Sequence, residues 1–297
     1  MGRLDDLLEC LIVAPADLAR MEAEIIGLDL NQQHATAGTA LMFAAGQGNL
    51  EAVRSFLRGG ADPNVSHHQV QLTALHLACG GGHVEICKEL IAKSVDLEAK
   101  DNQGWTALMF CAQEGRQDCL ELLIEHGANV NAADFAGRTS LMQSARCGFP
   151  HIAKSLIAAG ADVHAASGWA NALIIAATSG HSEVGELLLE HGAVLDDIDL
   201  KEGYSALMMA AFYGHRDFVE MLIRRGADVS LCTEWNVSAL TMAMRGGHVE
   251  IERVLKNAGT DEPKEVPLPI RLPQGWVGDP ILCQQMKQFL QESGSEM

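Results

Sequence analysis

The sequence predicts an all-α fold, a solenoid of stacked helix-turn-helix units joined by short β-turn fingers. One segment, first seen as Thr39-Ala-Leu-Met-Phe-Ala-Ala, occurs seven times, with successive copies 32 to 34 residues apart. Each copy holds two short stretches whose apolar residues return with helical spacing. A glycine follows most of these stretches at a nearly constant offset, where a helix would end. Regular repetition on this length scale is typical of proteins built from stacked supersecondary units.

Residues 1–38 are predicted to form a degenerate N-terminal capping repeat. Residues 3–13 and 15–26 are two amphipathic helical stretches separated at Pro15, and Gly27-Leu-Asp-Leu-Asn31 is similar to the links between the later copies. A solenoid needs such a unit because its first repeat would otherwise leave an apolar face uncovered.

Residues 39–259 hold the seven copies, and the first helix of each copy begins at a polar anchor. Thr, Ser and Asn are favoured N-cap residues because their side-chain oxygens accept a hydrogen bond from a free backbone N–H group. The small Ala44 and Ala45 of the first copy let helices of neighbouring units approach closely. The seven anchors are Thr39, Thr73, Thr106, Thr139, Asn171, Ser205 and Ser238. The glycines predicted to end this helix are Gly82, Gly115, Gly148, Gly180, Gly214 and Gly247.

The second helix of each copy follows at once, as in His83-Val-Glu-Ile-Cys-Lys-Glu-Leu-Ile. Its apolar residues form one stripe, while Glu85 and Lys88 face water. A glycine closes this helix in every copy but one, where Ser94 stands instead. A short link and a turn lead to the next anchor. Asn236 replaces the usual turn glycine in the last copy, and Asn tolerates a positive φ better than most residues.

The repeated pattern Gly-x-Thr-Ala-Leu-x-x-Ala-Ala-x-x-Gly-His, followed by Leu-Leu-x-x-Gly-Ala-Asp-Val-Asn, resembles the ankyrin repeat. The stretch from Gln103 to Asn131 is nearly a consensus copy, and the resemblance covers residues 39–259. Ala replaces the Pro that the family usually has after the anchor, and only His76 keeps the family's usual His. Met stands at that position in four other copies, so we expect apolar packing to replace an inter-repeat hydrogen bond there. The resemblance also permits hydroxylation of Asn131, although the default role of this side chain is to stabilise a turn.

Residues 260–297 differ in character, because five of the eight prolines of the chain lie there. Proline lacks a backbone N–H group, so this stretch is not expected to continue the repeats. We expect Pro267 to Pro273 to form an extended linker and Asp279 to Glu292 to form an amphipathic helix. Two roles are open for this helix: it folds back on the last repeat as a cap, or it docks a second protein.

The chain carries 39 acidic and 21 basic residues, a formal net charge of −18. Nucleic acids and anionic membranes are bound through cationic contacts, so this balance argues against both as partners. No stretch reaches the roughly eighteen consecutive apolar residues of a membrane span, and the first residues lack a secretory signal. We therefore expect a cytoplasmic protein, with the nucleus as an alternative location. We also expect a monomer.

The 12 histidines and 8 cysteines form no familiar catalytic or metal-binding pattern. No CxxC pair, phosphate-binding glycine loop or known nucleophile motif occurs. Cys147 and His151 are four residues apart, but Gly148 and Pro150 break the helix between them. We expect no catalytic residue, metal or cofactor, and the alternative is an enzyme with an unfamiliar site at Cys147 and His151. Four histidines share one repeat position, which indicates a scaffold role; they are His83, His181, His215 and His248.

Partner specificity is expected where the copies differ, at the finger tips and in the last turn of the first helices, which line the concave face. Trp, Tyr and Arg most often dominate the binding energy of protein interfaces. Some of these rings could instead pack on neighbouring fingers. The candidate partner-binding residues are Trp105, Phe135, Arg138, Arg146, Trp169, Tyr204, Phe212, Tyr213, Trp235 and Arg245.

The sequence therefore predicts a non-enzymatic protein-protein interaction scaffold or adaptor that binds a protein partner on this surface. The alternative is an accessory or targeting subunit of a ubiquitin ligase or kinase complex, docked through the C-terminal helix.

Overall fold

The computed structural model describes residues 29–34, 38–168, 170–199 and 202–260. The two helical stretches predicted within residues 1–38 lie outside the described residues. The linker and helix predicted after residue 260 also lie outside them, as does Trp169.

The described residues contain fourteen α-helices in seven consecutive pairs, and the predicted all-α fold is confirmed. We call the first helix of each pair inner and the second outer. The inner helices are α1 (Ala40–Gly46), α3 (Ala74–Gly81), α5 (Ala107–Glu114), α7 (Ser140–Cys147), α9 (Ala172–Ser179), α11 (Ala206–Tyr213) and α13 (Ala239–Gly246). The outer helices are α2 (Leu50–Arg58), α4 (Val84–Ile91), α6 (Gln117–Glu125), α8 (Pro150–Ala158), α10 (Ser182–Glu190), α12 (Arg216–Arg224) and α14 (Val249–Asn257).

Contacts divide the described residues into two compact units, one ending at Phe135 and the other beginning at Ala136. In the first unit, α1, α3 and α5 pack side by side, and α2, α4 and α6 do the same. In the second unit, the inner helices α7, α9, α11 and α13 and the outer helices α8, α10, α12 and α14 pack in the same way. Equivalent positions of successive repeats therefore form rows within each unit.

The polar anchors cap the inner helices, as the repeats predict. Thr39 Oγ1 accepts a hydrogen bond from the backbone N–H group of Met42 at 3.2 Å. Thr106 is the exception among the described anchors, because its side chain makes no capping bond. The equivalent bond is made by the side chains of Thr73, Thr139, Asn171, Ser205 and Ser238.

Left-handed backbone ends the helices at the predicted glycines. Gly82, for example, ends α3 with a φ of 78°. Two of the positions where another residue replaces glycine keep this conformation, with a φ of 57° at Ser94 and 56° at Asn236. L-residues adopt it at an energetic cost, so the fold imposes the backbone at these two positions.

The core lies between the inner and outer helices of each unit. In α1, Leu41, Ala44 and Ala45 are buried, and the small alanines allow the close helix contacts that the sequence predicts. Gly185 in α10 serves the same purpose in the second unit. A Cβ atom at Gly185 would lie 2.5 Å from the ring of Phe218, so no larger residue fits there without rearrangement.

His76 joins the second repeat to the third. Its Nε2 atom lies 3.1 Å from both the Ala99 and Trp105 carbonyl oxygens, and its Nδ1 atom lies 2.8 Å from Thr73 Oγ1. At the equivalent position of the first repeat, Met42 Sδ instead accepts a hydrogen bond from the anchor N–H group at 3.4 Å. At Met42 the side chain is buried, as expected for apolar packing.

The fingers that link the pairs contain short antiparallel pairing. In the fifth finger, β1 (Ala166–Ser167) pairs with β2 (Ala170–Asn171). Isolated bridges join Ile198 to Ser205 and Cys232 to Ser238 in later fingers. The predicted β-turn fingers are therefore present, and they hold the residues before each anchor in fixed positions.

Candidate partner-binding surface

In the second unit, equivalent residues of successive inner helices lie side by side and form a row. This position lies seven residues after each anchor, in the last turn of α7, α9, α11 and α13, and all four side chains are half-buried. The row is Arg146, Thr178, Phe212 and Arg245. Because the helices pack side by side, the row gives the second unit a continuous strip of partly exposed side chains.

The backbone of this row is fixed by histidines at the start of the outer helices. Each imidazole reaches back to a carbonyl oxygen of the preceding repeat. The contacts join His181 Nε2 to Arg146 O at 3.1 Å, His215 Nε2 to Thr178 O at 2.9 Å and His248 Nε2 to Phe212 O at 2.9 Å. These backbone contacts are what the predicted scaffold role requires.

The same position holds three different residues in the first unit: Asn49, His83 and Arg116. His83 Nε2 lies 3.3 Å from the Gly46 carbonyl oxygen. Arg116 takes the place of a histidine in the third repeat and donates through Nε to the Gly80 carbonyl oxygen at 3.0 Å. Arg116 was not predicted to have this role, although it stands ten residues after its anchor, the position of His83, His181, His215 and His248 in their repeats.

Arg245 has an unusual environment at the end of the row. In the part of the chain that the structure describes, its Nε and Nη2 atoms are buried and have no hydrogen-bond partner. Tyr204 lies close enough for the charge of Arg245 to affect it. Burial raises the pKa of Tyr204 and the Glu202 and Asp199 carboxylates raise it further, while Arg245 opposes them. A half-buried guanidinium favours neighbours that supply a hydrogen-bond acceptor.

Phe212 and Tyr213 form an aromatic pair in the last turn of α11. Their ring centroids are 5.1 Å apart with an edge-to-face angle of 88°, and Tyr213 stacks on His215 at 6.4 Å. Both side chains remain partly exposed, and partial burial raises the pKa of Tyr213. The rings are thus held in place and still offer apolar surface.

Trp235 lies at the tip of the finger before α13 and exposes 67% of its surface. The finger around it is well fixed, because Thr233 Oγ1 accepts hydrogen bonds from the N–H groups of Trp235 at 3.3 Å and Val237 at 3.2 Å. Rigid backbone therefore presents a large exposed indole to solvent.

Arg138 lies in the fourth finger directly before the anchor Thr139, Arg146 lies in the last turn of α7, and both are half-buried. Arg146 Nε donates a hydrogen bond to Gln143 Oε1 at 3.1 Å, which fixes its direction. Both cations therefore belong to the same repeat and remain partly accessible.

Phe135 is the candidate residue of the first unit that is exposed, with 73% of its surface in solvent. The Lys100 ammonium lies 5.9 Å from the centre of its ring. Its backbone N–H donates to the Gln103 carbonyl oxygen at 3.1 Å, which fixes the tip of the fourth finger on the third.

Two candidate residues are not exposed, and the expectation for them was wrong. Trp105 and Tyr204 each expose only 2% of their surface. The Trp105 ring packs edge-on against Phe110 at 5.4 Å. Their backbone N–H groups donate at 2.8 and 2.7 Å to Asp101 Oδ1 and Asp199 Oδ2, respectively, which turns both side chains inward.

The physical reason is their place in the finger. Both stand directly before an anchor, and this position is also buried in the second, fifth and seventh repeats, where it holds Leu72, Ala170 and Val237. The apolar character of Leu72 and Val237 was a usable sequence signal that this position faces the core. Phe135 and Trp235 stand four and three residues before their anchors and point to solvent.

No described group of three or more His, Cys, Asp or Glu side chains has the geometry to hold a metal ion. Cys147 is half-buried, and His151 is exposed with its ring 5.8 Å from that of Phe149. Gly148 between them is left-handed at a φ of 74°, and Pro150 opens α8, so the helix breaks as predicted.

Within the described ranges, no helix is both long and apolar enough to cross a bilayer.

Known proteins with similar sequences share the repeats. The chain is 34% identical over 121 residues to the probable E3 ubiquitin-protein ligase XBOS33 of Oryza sativa subsp. japonica, an alignment covering 38% of this chain and 23% of that protein. It is 34% identical over 73 residues to protein phosphatase 1 regulatory subunit 12A of Mus musculus, covering 25% of this chain and 7% of that protein. The chain thus spans less than a quarter of the length of these curated relatives.

The fold and the family are shown by two further matches. The structure of the human ASB11 ankyrin repeat domain aligns with a TM-score of 0.68 and 23% identity, covering 76% of this chain and all of that domain. A family model described as ankyrin repeats in three copies matches residues 12–97, 41–134, 99–167 and 141–232. Because the family-model matches together extend over residues 12–232, well over half of the sequence, the chain belongs to the ankyrin repeat family.

Proposed function

We propose that this chain is a non-enzymatic adaptor or scaffold that binds a protein partner through the second unit. We name the proposed contact region the partner surface. It consists of Arg138, Arg146, Phe212, Tyr213, Trp235 and Arg245. The observation that carries the proposal is the 67% exposure of Trp235 on a finger whose backbone is fixed by hydrogen bonds.

An exposed indole on rigid backbone is well suited to binding. Burying a large apolar side chain contributes about 1.5–3 kcal/mol, and Trp is enriched among the residues that dominate interface energies. Little conformational entropy is lost on binding, because the Trp235 finger is already ordered. A partner that covers this ring therefore gains that burial energy without reorganising the finger.

Arg245 defines the second requirement on the partner. Its side chain is half-buried at the end of the row, and a carboxylate or carbonyl oxygen of a partner is a suitable acceptor for the part of the guanidinium that remains accessible. We therefore infer a partner segment that combines an apolar group for Trp235 with an acceptor for Arg245. Phe135 of the first unit is a separate proposed contact, with Lys100 beside its ring.

Site-specific crosslinking tests this assignment directly. A photoreactive phenylalanine analogue replaces Trp235 in one variant and Val249 in another, and both are irradiated in cells. Val249 is a matched control because it is also an exposed apolar residue, with 57% of its surface in solvent, and it lies at the start of an outer helix. We expect a discrete crosslinked protein from position 235 and none from position 249; equal crosslinking at both positions would refute the partner surface.

The alternative is an accessory or targeting subunit that docks through the C-terminal segment. The names of two similar proteins, a probable ubiquitin ligase and a phosphatase regulatory subunit, motivate it. Removing residues 261–297 tests it. A truncated protein that keeps its thermal unfolding midpoint and loses a partner supports docking, whereas a lowered midpoint supports a capping role.

A further inference from the structure

The inner helices of the second unit carry charge at two residues, and both are arginines at the ends of the row. Arg146 lies in the last turn of α7 and Arg245 in the last turn of α13. The helices between them, α9 and α11, contain no charged residue. In the first unit the equivalent position is uncharged and buried, and holds Gly46, Gly80 and Gln113. Paired positive charge is therefore a property of the second unit alone.

The row between the two arginines offers a hydroxyl and an aromatic ring. Thr178 Oγ1 donates a hydrogen bond to the Ile174 carbonyl oxygen at 2.8 Å. Phe212 is half-buried and held edge-to-face against Tyr213, with 5.1 Å between the ring centroids. The ring lies one repeat from Arg245 and two repeats from the arginine of α7. The row is thus asymmetric, in the order cation, hydroxyl, ring and cation.

The direction of Arg146 is fixed by a side chain that breaks the repeat pattern. Gln143 exposes 1% of its surface, and its Oε1 atom accepts the Arg146 Nε hydrogen bond at 3.1 Å. A buried amide is costly unless it is hydrogen-bonded. The six other repeats have a buried apolar residue at this position: Phe43, Leu77, Phe110, Ile175, Met209 and Met242. A ligand of the row therefore meets a guanidinium that is already oriented, which lowers the entropy cost of binding.

We propose that the row binds an extended acidic segment of a partner protein, with one carboxylate on Arg146, one on Arg245 and an apolar side chain against Phe212. This inference rests on the proposed function, because these three residues belong to the partner surface. A guanidinium and a carboxylate form charge-assisted hydrogen bonds, and arginines on a rigid scaffold are a known means of recognising acidic segments. Charges are screened over about 8 Å at physiological ionic strength, so the nearby arginines outweigh the distant acidic residues of the chain.

The packing of the helices sets the spacing of the acidic residues. Packed helices lie about 8–10 Å apart, so Arg146 is about 16–20 Å from Phe212, and Phe212 is about 8–10 Å from Arg245. An extended chain rises about 3.3 Å per residue and presents alternate side chains on one face. The segment therefore has its apolar residue about six positions from one acidic residue and about two positions from the other, in either chain direction.

A peptide selection tests this register. Random twelve-residue peptides displayed on phage are selected on full-length wild type, on Arg146→Glu and on Arg245→Glu, each with a matched thermal unfolding midpoint. We expect wild type to enrich peptides with two acidic residues about eight positions apart and an apolar residue between them. Each charge reversal should replace one acidic residue by Lys or Arg, at opposite ends of the peptide. The inference is overturned if no peptide is enriched, if wild type shows no preference for acidic residues, or if all three proteins select the same peptides.

Fluorescence anisotropy with a labelled synthetic copy of the strongest wild-type peptide measures each contact. We expect Arg146→Gln and Arg245→Gln each to raise Kd about tenfold or more. Arg224→Gln is the matched control, because it removes the same charge from an exposed position at the end of the outer helix α12. Its Kd should stay within about twofold of wild type. Equal weakening by all three variants would mean that net charge alone governs binding, and would overturn the inference.

The crosslinking at Trp235 separates this inference from the proposed function. A partner crosslinked at position 235, together with selected peptides that lack acidic residues, overturns the acidic segment and leaves the partner surface standing. A missing crosslink at position 235 counts against the partner surface itself.

Discussion

At the scale of single residues, His76 couples folding to pH. Its ring is completely buried between two repeats, and burial lowers its pKa to about 4. A histidine in the unfolded chain titrates near pH 6.5, so between the two values only the unfolded chain binds the proton. Folding stability is therefore complete above about pH 6.5 and falls as the pH drops toward about 4. At about 1.4 kcal/mol per pH unit, the loss approaches roughly 3 kcal/mol.

Replacing His76 by Met should remove this pH dependence, because Met occupies the equivalent buried position in the first repeat, at Met42. Urea unfolding of wild type and His76→Met at pH 7 and pH 5 measures the effect. We expect wild type to lose more stability than the variant over this interval. An equal loss in both proteins would show that other groups cause the acid sensitivity.

The histidines that contact the backbone of the row should contribute more to stability than histidines that contact only their own helix. His215→Ala removes a contact to the Thr178 carbonyl oxygen of the preceding repeat and should cost about 1–3 kcal/mol. His191→Ala is the control, because the exposed His191 contacts only the Leu187 carbonyl of its own helix in the described structure. Its cost should stay within about 0.5 kcal/mol. Chemical unfolding measures both, and equal losses would contradict a scaffold role for His215.

At the scale of elements, the helix ends depend on glycines in the left-handed conformation. Substituting two of these glycines distinguishes the cost of backbone strain from the cost of side-chain crowding. Gly226 has a φ of 90° with open space around it, so Gly226→Ala should cost about 1–2 kcal/mol of backbone strain alone. Gly214 has a φ of 82°, and a Cβ atom there would lie 2.5 Å from the His248 ring. Gly214→Ala should cost clearly more, because it also displaces His248 from the Phe212 carbonyl. Equal midpoint shifts in urea unfolding would show that the ring moves aside freely.

Ser94 allows the reverse experiment on the same kind of element. It is exposed and holds a φ of 57° after α4, where the other repeats have glycine. Ser94→Gly should stabilise the protein by about 0.5–1 kcal/mol, because the strain disappears. Thermal unfolding checks the sign, and a destabilised variant would mean that the Ser94 side chain makes a compensating contact.

The sequence predicts where helices begin and end better than it predicts which way a finger side chain points. Caps and helix ends depend on local chemistry, so the Thr39 cap and the left-handed Gly82 follow from the residues themselves. The direction of a finger side chain depends on packing and on the loop carboxylate that holds the backbone, as Asp101 does for Trp105. Propensity does not reveal that contact. For this reason Trp105 was predicted exposed and is buried, while the same expectation holds for Trp235.

At the scale of the whole molecule, contacts between neighbouring repeats explain the fold. The proposed function depends on partly exposed side chains that differ from one repeat to the next. The repeated sequence predicts the rows within each unit, because each repeat buries its apolar face only against its neighbours. The contacts of Cys87 with Cys79 and Cys119 needed the structure, since these cysteines are not equivalent in the repeats and meet only through packing of their helices. The environment of Arg245 also needed the structure, because the sequence does not reveal that its Nε and Nη2 atoms have no acceptor among the described residues.

The most direct test of the proposed function is quantitative affinity capture from cells with three proteins: wild type, a Trp235→Ala and Arg245→Ala double variant, and a Val194→Ala and Val249→Ala control. The control residues are exposed apolar side chains outside the partner surface, so their loss changes exposed area without changing that surface. With matched thermal unfolding midpoints, we expect the double variant to lose a specific protein that wild type and control both retain. Identical captured proteins from all three would contradict the account.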